Sequence, residues 1–594
     1  MIEAQIQQHT AIALSSLYSS NIAPENIILQ QTRKEFEGDY TINVFPFLKL
    51  TNENPEVSAQ KIGNFLVDNV DDITGYNVIK GFLNLVVNDQ YWTRHLARQL
   101  PNEQYGRLAD KGGAPTVIEF SSPNTNKPLH LGHVRNNLLG WSVAEILKAA
   151  GHKVVKVNLV NDRGIHICKS MLAWEKWYKD KTPESTDVKG DKLVGDCYVK
   201  FDREYKKEVE KLMFGGIDKD RAEQEAPLIS EARDMLRKWE NNDPAVRELW
   251  SMMNEWVYEG FDSTYERLGI DFDKIYYESD TYLLGKDIVD QGLADGILFK
   301  KDDGSVWANL TDEGLDEKLL LRADGTSVYM TQDLGTAQLR YDDYHPDKLL
   351  YVVGNEQNYH FDVLKIILKK LGRDWANDIV HISYGMVELP HGKMKSREGT
   401  VVDADDLMDQ MYATAEAMAR ELGKVEGLTD DEASYLFEMI SLGALKFFIL
   451  RVDPKKNMLF NPEESIDFNG HTGPFVQYTH ARIRSLLNKA GERGMQVISE
   501  QYMGPVLAKE KEIIKLLHGF PAVVGNAASA FSPAVIASYV YDLAREYNQF
   551  YQEINILREN DKTTAGFRLS LSLATANVIR TAMQFLGIDV PDKM

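Results

Sequence analysis

Cysteine is almost absent from this sequence: only Cys168 and Cys197 occur among 594 residues, and they form no CxxC pair. That scarcity excludes a cysteine-rich zinc site and suits a reducing compartment. No apolar run approaches the ~20 residues of a membrane span. The first residues also lack a basic region followed by an apolar core, the pattern of a secretory signal. We therefore predict a cytoplasmic protein with no metal site and no membrane partner.

Basic residues are outnumbered by acidic residues, which gives a formal net charge of −22. Taken alone, this balance argues against a nucleic-acid partner. The charge is uneven, however, since residues 471–594 contain 13 Lys or Arg against 11 Asp or Glu. An acidic body with a nearly neutral C-terminal region is compatible with RNA binding through local patches.

The pattern of apolar residues divides the chain into three predicted domains. Residues 1–105 read as a small α+β module, residues 106–410 alternate between strands and helices, and residues 411–594 are almost entirely helical. A charged helical insertion at about 165–260 interrupts the middle domain. The strands predicted there lie at 117–120, 154–160, 327–331, 349–353 and 379–384. The fold class is therefore α/β: a Rossmann-like, doubly wound parallel sheet with a helical insertion, an α+β N-terminal domain and an all-α C-terminal bundle.

The most informative motif is Pro128-Leu129-His130-Leu131-Gly132-His133, at the change from a strand to a helix predicted over 134–150. Histidines three residues apart share one helix face. They would lie beside unpaired N–H groups at the positive end of the helix, which suits a polyanion such as the triphosphate of ATP. Gly132 would let a flat ring such as adenine approach the backbone. The alternative is that the two histidines merely cap the helix.

A second phosphate-binding element is predicted at Gly392-Lys393-Met394-Lys395-Ser396-Arg397-Glu398-Gly399. It is short, basic and flanked by glycines, so it could close over phosphates; alternatively, it is a solvated basic hairpin. The chain has no glycine-rich loop ending in Gly-Lys-Ser or Gly-Lys-Thr, so ATP use would follow a different design. Together the two elements resemble the paired HIGH and KMSKS motifs of class I aminoacyl-tRNA synthetases.

Within that class the chain resembles the arginyl-tRNA synthetases over essentially its whole length. The residues that carry the resemblance are Glu119 to Asn124, Asn126 to Pro128, Tyr329 to Asp333, Gln357 with His360, Met394 to Gly399, Thr472 to Tyr478, and Leu586 to Ile588 with Pro591. One position departs from the pattern, since Ser396 stands where KMSKS has its second lysine. The resemblance implies that Lys127, just before the HIGH motif, substitutes for it.

The resemblance implies attack of the arginine carboxylate on the α-phosphorus of ATP, followed by transfer to the terminal adenosine of tRNA. Such chemistry needs positioning and positive charge rather than a protein nucleophile. His130 and His133 would contact the phosphates, and Lys127, Lys393 and Lys395 would hold them, with Mg²⁺ helping. The remaining residues expected to bind ATP are Gly132, Met394 and Ser396.

Selection of arginine requires carboxylates that accept the fork of guanidinium donors. The resemblance supplies Asp333 and Glu278, with Tyr329 alongside them. It places Glu119, Asn124 and Gln357 at the α-ammonium and carboxylate. Asp333 could instead be only a helix N-cap, and Glu278 only an acidic residue of a surface turn. A lysine substrate would leave carboxylate lone pairs unsatisfied, at a cost of about 3–5 kcal/mol, so no editing domain is needed.

The RNA contacts are expected mainly in the helical C-terminal region, which resembles the anticodon-binding domain of this family. Gln477, Tyr478, Arg482 and Arg484 share one predicted helix and could stack on bases and contact phosphates. Equally, Tyr478 could be a core residue and the arginines a solvated face. The N-terminal module resembles the domain that grips the outer corner of tRNA, with Phe36, Asp39 and Tyr40 as candidates. We expect a monomer.

Three other functions remain open from the sequence. A small-molecule adenylyl- or nucleotidyltransferase of the HxGH class would share the sheet but would leave the helical region after residue 410 unexplained. A non-catalytic RNA-binding relative would not need His130, His133 and Lys393. A neighbouring class I synthetase for cysteine would need zinc ligands, and one for glutamate a basic pocket in place of Asp333 and Glu278.

Overall fold

The computed structural model describes residues 2–33, 35–388, 402–421, 423 and 427–594, without the side chains of residues 462 and 463. The chain forms two compact units, each built from three segments. The first comprises Met1–Tyr105, Ile483–Gly519 and Arg545–Asn577. The second comprises Gly106–Arg482, Phe520–Ala544 and Val578–Met594. The domain limits given above from the sequence stay a prediction.

The N-terminal segment has the α+β composition expected from its sequence. Its elements are α1 (Ile2–Tyr18), β1 (Leu29–Gln31), β2 (Tyr40–Asn43), α2 (Leu48–Thr51), α3 (Pro55–Asn69), β3 (Ile73–Ile79), β4 (Phe82–Val87) and α4 (Asp89–Gln99). The four strands form an antiparallel sheet in the order β1-β2-β4-β3. Apolar side chains of α1 and α3 are buried, which gives this small sheet a core.

A buried polar cluster lies inside the first unit, where Glu3 of α1 meets Tyr40 and His518. The Tyr40 hydroxyl donates to Glu3 Oε1 at 2.7 Å, and His518 Nδ1 lies 3.3 Å from the same oxygen. The His518 ring packs on that of His95 with centroids 4.5 Å apart. Burial and the charge of His518 lower the pKa of His95 to about 4. Although burial opposes it, contact with His518 and Tyr40 lowers the pKa of Glu3 to about 2.

The middle of the chain alternates between strands and helices and contains the helical insertion. Its first part has β5 (Thr116–Glu119), α5 (Leu131–Ala149), β6 (Val154–Val160), α6 (Ile165–Ala173), α7 (Pro183–Thr186), α8 (Gly190–Phe214), α9 (Lys219–Glu225), α10 (Pro227–Glu240) and α11 (Pro244–Leu268). Its second part has β7 (Lys274–Tyr277), α12 (Glu278–Thr281), α13 (Leu284–Ala294), β8 (Leu298–Lys300), β9 (Val306–Ala308), β10 (Lys318–Leu321), α14 (Tyr329–Tyr344), β11 (Lys348–Gly354), α15 (Asn358–Lys370), β12 (Ile379–Tyr384) and β13 (Val387–Glu388).

Five of these strands form a parallel sheet in the order β12-β11-β5-β6-β7. The chain moves outward from β5 to β7 on one side and from β11 to β12 on the other. The strand order therefore reverses between β5 and β11, and ligands of doubly wound sheets bind outside the carboxyl ends of the strands at such a point. The predicted α/β class, the first βαβ unit and the helical insertion are confirmed.

One predicted strand is wrong: residues 327–331 do not join the parallel sheet. Ser327 makes only an isolated bridge with Leu321, and Tyr329 already begins α14. The buried residues Met330, Leu334 and Ala337 recur at helical spacing and pack into the core under the sheet. That packing outweighs the strand preference of Val328, Tyr329 and Thr331 in this short segment.

The rest of the chain is helical, as predicted. Its elements are α16 (Ala404–Glu421), α17 (Asp430–Leu450), β14 (Met458–Leu459), α18 (Pro462–Ser465), α19 (Gly473–Glu492), α20 (Ala508–Ala530), α21 (Pro533–Glu553) and α22 (Lys562–Phe585). Helix α17 is long and apolar enough to cross a membrane, but 72% of its most apolar stretch is buried inside the protein. Such burial is the behaviour of a core helix. Lys446 on this helix is buried too, and its ammonium donates to the Gly587 carbonyl at 2.5 Å.

Candidate active site

The parallel sheet brings most of the predicted site residues to one edge. Strands β5, β6, β7 and β11 are parallel and in register, so their carboxyl ends lie side by side. Polar residues lie at each of these ends: Glu119, Ser121 and Ser122 on β5, Asp162 after β6, Glu278 after β7, and Glu356 and Gln357 after β11. This convergence is the structural basis of a single site.

The two histidines of the HIGH-like motif form the first turn of α5. His130 is the N-cap, and its Nδ1 accepts from the Gly132 N–H at 3.1 Å. His133 Nδ1 accepts from the His130 N–H at 3.2 Å, which closes a capping box. The ring centroids lie 4.0 Å apart. The residues therefore do cap the helix, as the alternative interpretation held, and they line a cavity as well.

The protonation state of the pair follows from these contacts. Burial, together with the charge of Lys127, lowers the pKa of His130 to about 3. Burial, His130 and Lys127 hold the pKa of His133 well below its ordinary value. Both rings are therefore neutral at pH 7. Because each Nδ1 accepts a main-chain N–H, the ring proton is on Nε2, where it is available as a hydrogen-bond donor.

A cavity of about 400 Å³ opens beside the histidines, at the point where the strand order reverses. Its lining includes Ser122, Gly132, Gly354, Glu356 and Glu388. The size and position suit a nucleotide. Our sequence reasoning missed Glu356. The signal that could have found it is a polar residue two positions after the glycine that ends a buried strand.

The wall of this cavity contains an uncommon backbone conformation at Ser121 and Ser122. Both residues have positive φ, 75° and 46°. Their N–H groups donate to Asn136 Oδ1 at 2.6 Å and Asn158 Oδ1 at 3.0 Å. Left-handed non-glycine residues persist only where surrounding contacts hold them, and they concentrate at functional sites. The two asparagines therefore fix the turn after β5.

The basic element predicted to bind phosphate, with Lys393, Met394, Lys395 and Ser396, lies outside the described residues. The described residues on either side of it are at the site. Glu388 lines the cavity, and the Leu131 N–H donates to the Val402 carbonyl at 3.2 Å. Lys127 is half-buried and lines a neighbouring cavity of about 220 Å³ together with His130.

Glu119 lies at the end of β5 in a buried ion pair. Its Oε2 pairs with Nη2 of Arg340, and its Oε1 accepts from the Ser122 hydroxyl at 3.1 Å. Arg340 also donates to the Tyr351 hydroxyl at 3.2 Å. Burial lowers the pKa of Arg340, but the attraction of Glu119 outweighs burial and leaves that pKa above its usual value. Ser122 thus links the cavity beside the histidines to the Glu119 carboxylate.

The two carboxylates predicted to hold a guanidinium lie near each other. Asp333 Oδ2 is 2.5 Å from His360 Nε2, and Glu278 Oε1 accepts from Gln332 Nε2 at 3.3 Å. Burial, with the charges of Asp162 and Asp333, raises the pKa of Glu278 to about 6, although Arg163 acts in the opposite direction. The N-cap alternative is wrong, because Asp333 lies inside α14; Glu278 is the first residue of α12 and is partly buried.

The spacing of these carboxylates depends on a close helix crossing between α13 and α14. A Cβ at Gly285 would lie 1.7 Å from the Thr331 carbonyl oxygen, and one at Gly335 would lie 2.4 Å from the Gly285 nitrogen. Neither approach is possible for a residue with a side chain. Glycine at these two positions therefore sets how closely Asp333 approaches the segment that carries Glu278.

The other three residues predicted to bind arginine are solvent-exposed at the same edge. The Tyr329 side chain is 79% exposed, and Asn124 and Gln357 are exposed as well. Asn124 follows the turn after β5 and forms a bridge with Asn161. Their exposure leaves these polar groups accessible to a ligand.

The residues predicted to contact RNA are divided by their burial. Gln477 is fully buried, and its amide donates to the carbonyls of Met439 and Asp589 at 2.9 and 2.8 Å. This burial is at odds with the predicted RNA contact, because the amide already ties α17 to the C-terminal segment. Tyr478 is partly exposed, and the Arg482 guanidinium lies over its ring at 4.7 Å. Arg484 is partly exposed.

The N-terminal candidates for RNA binding show a similar division. Asp39 is buried and accepts from Lys515 Nζ at 2.7 Å, while Tyr40 is buried against Glu3. Both therefore serve the core of the first unit. Phe36 is 37% exposed and lines a cavity of about 240 Å³ with Arg33.

Comparison with known families matches nearly all of the chain. Residues 96–461 match the family described as tRNA synthetases class I (R), catalytic domain. Residues 476–594 match the DALR anticodon binding domain, and residues 4–87 match the arginyl tRNA synthetase N terminal domain.

Individual relatives agree with these matches. The chain is 58% identical to the arginine–tRNA ligase of Bacteroides fragilis and 55% identical to that of Parabacteroides distasonis, with all of each chain covered. Among solved structures, arginyl-tRNA synthetase from Thermus thermophilus shares the fold with a TM-score of 0.77 at 22% identity, covering both chains completely. That from Plasmodium falciparum gives 0.78 at 19% identity, covering 100% and 99%. This chain belongs to the arginyl-tRNA synthetases of class I.

Proposed function

We propose that this chain joins arginine to its tRNA in two steps. Arginine first reacts with ATP, when its carboxylate oxygen attacks the α-phosphorus and pyrophosphate leaves. The 2′-hydroxyl of the terminal adenosine then attacks the carbonyl of the arginyl-adenylate and displaces AMP. The activity is that of an arginine–tRNA ligase. The observation that carries the proposal is one sheet edge with neutral imidazoles on one side and partly buried carboxylates on the other.

His130 and His133 bind the phosphates of ATP as neutral donors. Their Nδ1 atoms are occupied by main-chain N–H groups, so Nε2–H is the group that each ring presents. Donors fixed in place before the reaction stabilise charge as it develops on the phosphate oxygens. Lys127, Lys393 and Lys395 supply the positive charge, and Met394 and Ser396 complete the ATP site with Gly132. This assignment is supported by the residues on either side of the basic element, because Glu388 lines the cavity and the Val402 carbonyl accepts from the Leu131 N–H.

Glu356 binds the ribose of ATP. Its carboxylate lines the nucleotide cavity but would repel the phosphates, so hydroxyl groups are its fitting partners. Two vicinal hydroxyls can donate to one carboxylate. A Cβ at Gly354 would lie 2.5 Å from Glu356 Oε2, so glycine at 354 leaves room for this carboxylate.

Asp333 and Glu278 bind the guanidinium of arginine, with Tyr329 beside them. Glu119, Asn124 and Gln357 bind the α-ammonium and carboxylate. The raised pKa of Glu278 means that, even with the Arg163 charge nearby, burial and the neighbouring Asp162 and Asp333 disfavour its negative charge until a further cation arrives. Binding of a guanidinium supplies that cation, and its fork of donors matches two carboxylates better than an ammonium does.

Mg²⁺ enters with ATP rather than through a protein cage. Within the described parts of the chain, no three His, Cys, Asp or Glu side chains lie together in a way that could hold a metal ion. Mg²⁺ commonly binds through substrate phosphates and water with few protein ligands. We therefore treat it as part of the nucleotide substrate.

The tRNA contacts on the helical region involve Tyr478, Arg482 and Arg484, and the N-terminal contact involves Phe36. Stacking of an exposed ring on a base and pairing of guanidinium groups with phosphates are the expected modes. Gln477 acts indirectly, by holding the helix that carries Tyr478. The protein works as a cytoplasmic monomer. A nucleotidyltransferase is not favoured, because residues 476–594 match an anticodon-binding domain.

Aminoacylation of total tRNA with each amino acid in turn tests the proposal. We expect charging with arginine alone. Transfer of another amino acid, or adenylyl transfer to a small molecule without RNA, would refute it. A His133→Ala variant should fold and bind arginine but lose most of its turnover.

A further inference from the structure

Asp162 is a buried carboxylate at the carboxyl end of β6, for which neither motif gives a role. It is 1% exposed. Its Oδ1 accepts from the Ser279 N–H at 2.8 Å, and its Oδ2 accepts from the Ser279 hydroxyl at 2.7 Å and the Tyr258 hydroxyl at 3.1 Å. These three hydrogen bonds join the Asp162 carboxylate to Ser279 and to the insertion helix.

The insertion helix α11 also holds the main chain of Asp162. Trp250 Nε1 and Asn254 Nδ2 donate to its carbonyl oxygen at 2.6 and 3.3 Å. With Tyr258 they follow one another at intervals of four residues, which places all three on one face of α11. Three side chains of the insertion therefore fix the position of Asp162.

Asp162 in turn fixes the short helix α12 that begins with Glu278. The N-cap Tyr277 provides no side-chain acceptor, so the Ser279 N–H has its partner in Asp162. The first N–H groups of a helix need an outside acceptor, and a carboxylate is a strong one. The carboxylate of Glu278, the adjacent residue, accepts a longer hydrogen bond from Gln332 at 3.3 Å.

We propose that Asp162 is a positioning residue for arginine binding, because it holds α12 so that the Glu278 carboxylate faces the guanidinium. The proposal rests on the proposed function and extends it to a residue that need not touch substrate. The link runs from α11 through Asp162 and Ser279 to Glu278. Weakening it should reduce arginine binding while leaving the ATP cavity, which is built from β5, α5 and β11, unchanged.

The variants Asp162→Asn and Tyr258→Phe test this link by steady-state aminoacylation of tRNA and by calorimetric titration of arginine. The asparagine can still accept the Ser279 N–H but loses the charge and one acceptor. We expect it to raise KM for arginine about tenfold, the effect of one weakened hydrogen bond to a charged group. KM for ATP should stay within about twofold. Tyr258→Phe should raise KM for arginine by about threefold.

Asp280→Asn is the matched control, since Asp280 is an exposed carboxylate on the same short helix. It should leave both KM values unchanged. The proposal is overturned if both test variants bind arginine as tightly as the original protein. It is also overturned if KM for ATP rises as much as KM for arginine, since that would mean general damage to the sheet edge. If Asp162→Asn does not fold, Tyr258→Phe alone decides. Failure of the original protein to charge arginine would refute the proposed function instead.

Discussion

Replacing Arg340 with methionine should destabilise the second unit in a way that depends on pH. The substitution removes the cation from a pair in which both side chains are buried, Arg340 at 2% and Glu119 at 10% exposure. Methionine fills similar space but cannot pair with the carboxylate. Glu119 must then be buried either as an unpaired anion or as a neutral acid.

The neutral acid is the less costly state, and its cost can be worked out. The ordinary pKa of the Glu119 carboxyl is 4.5, and burial already raises this pKa in the original protein, so a cost worked from 4.5 is an upper bound on the loss. Holding a proton on such a group at pH 7 costs about 3.4 kcal/mol, since each pH unit above the unfolded pKa adds about 1.36 kcal/mol. This agrees with the roughly 3–5 kcal/mol typical of a broken buried pair. A group whose pKa is raised on folding stabilises the folded state at low pH, so the loss should shrink to about 0.7 kcal/mol at pH 5.

Urea unfolding followed by tryptophan fluorescence at pH 5 and pH 7 measures this difference. Arg237→Met is the matched control, because Arg237 and its partner Asp234 are 71% and 54% exposed and should contribute at most about 1 kcal/mol. The double variant Arg340→Met with Glu119→Leu removes the stranded acid and should recover at least about half of the loss. A loss that is equal at both pH values would refute this reasoning.

Three further predictions concern the site and the first unit. His130→Asn should lose most of its kcat because the imidazole is gone, but it should keep nearly full stability because asparagine still offers a side-chain acceptor for the helix cap. His130→Ala should lose the kcat and also about 1 kcal/mol of stability in thermal unfolding. Asp333→Ala should raise KM for arginine about a hundredfold or more with KM for ATP unchanged, and a similar rise for both would contradict its role. The partly buried His95 has a pKa lowered to about 4 from 6.5, so the free energy of unfolding should fall by up to about 3 kcal/mol between pH 6.5 and 4; His95→Gln should flatten that dependence in a pH series of denaturation curves.

The sequence was most informative where residue spacing alone decides the structure. The apolar spacing around β5, α5 and β6 predicted the first βαβ unit, and the HIGH-like motif was expected at its helix start. The observed helix begins three residues earlier than predicted, because His130 itself is the cap. Apolar spacing defines the buried face of a helix well, but it does not show which polar residue ends it.

Sequence reasoning was weaker where distant segments meet. Arg340 and Asp162 carry no local signal of their roles, because each role depends on a partner more than 90 residues away in the sequence. Gln477 shows the opposite error. It stands beside Tyr478 in a motif of the family, yet it points into the core, since neighbours on a helix differ by about 100° in direction.

The crossing of α13 and α14 at Gly285 and Gly335 bears on how the amino-acid specificity of this protein could change. The separation of the two carboxylates proposed to bind the guanidinium depends on two glycines that contribute no side chain. Adding even one methyl group there would wedge the helices apart and move an acid away from its counterpart. A library of variants selected for longer or shorter cationic amino acids should therefore vary Gly285 and Gly335 as well as the carboxylates.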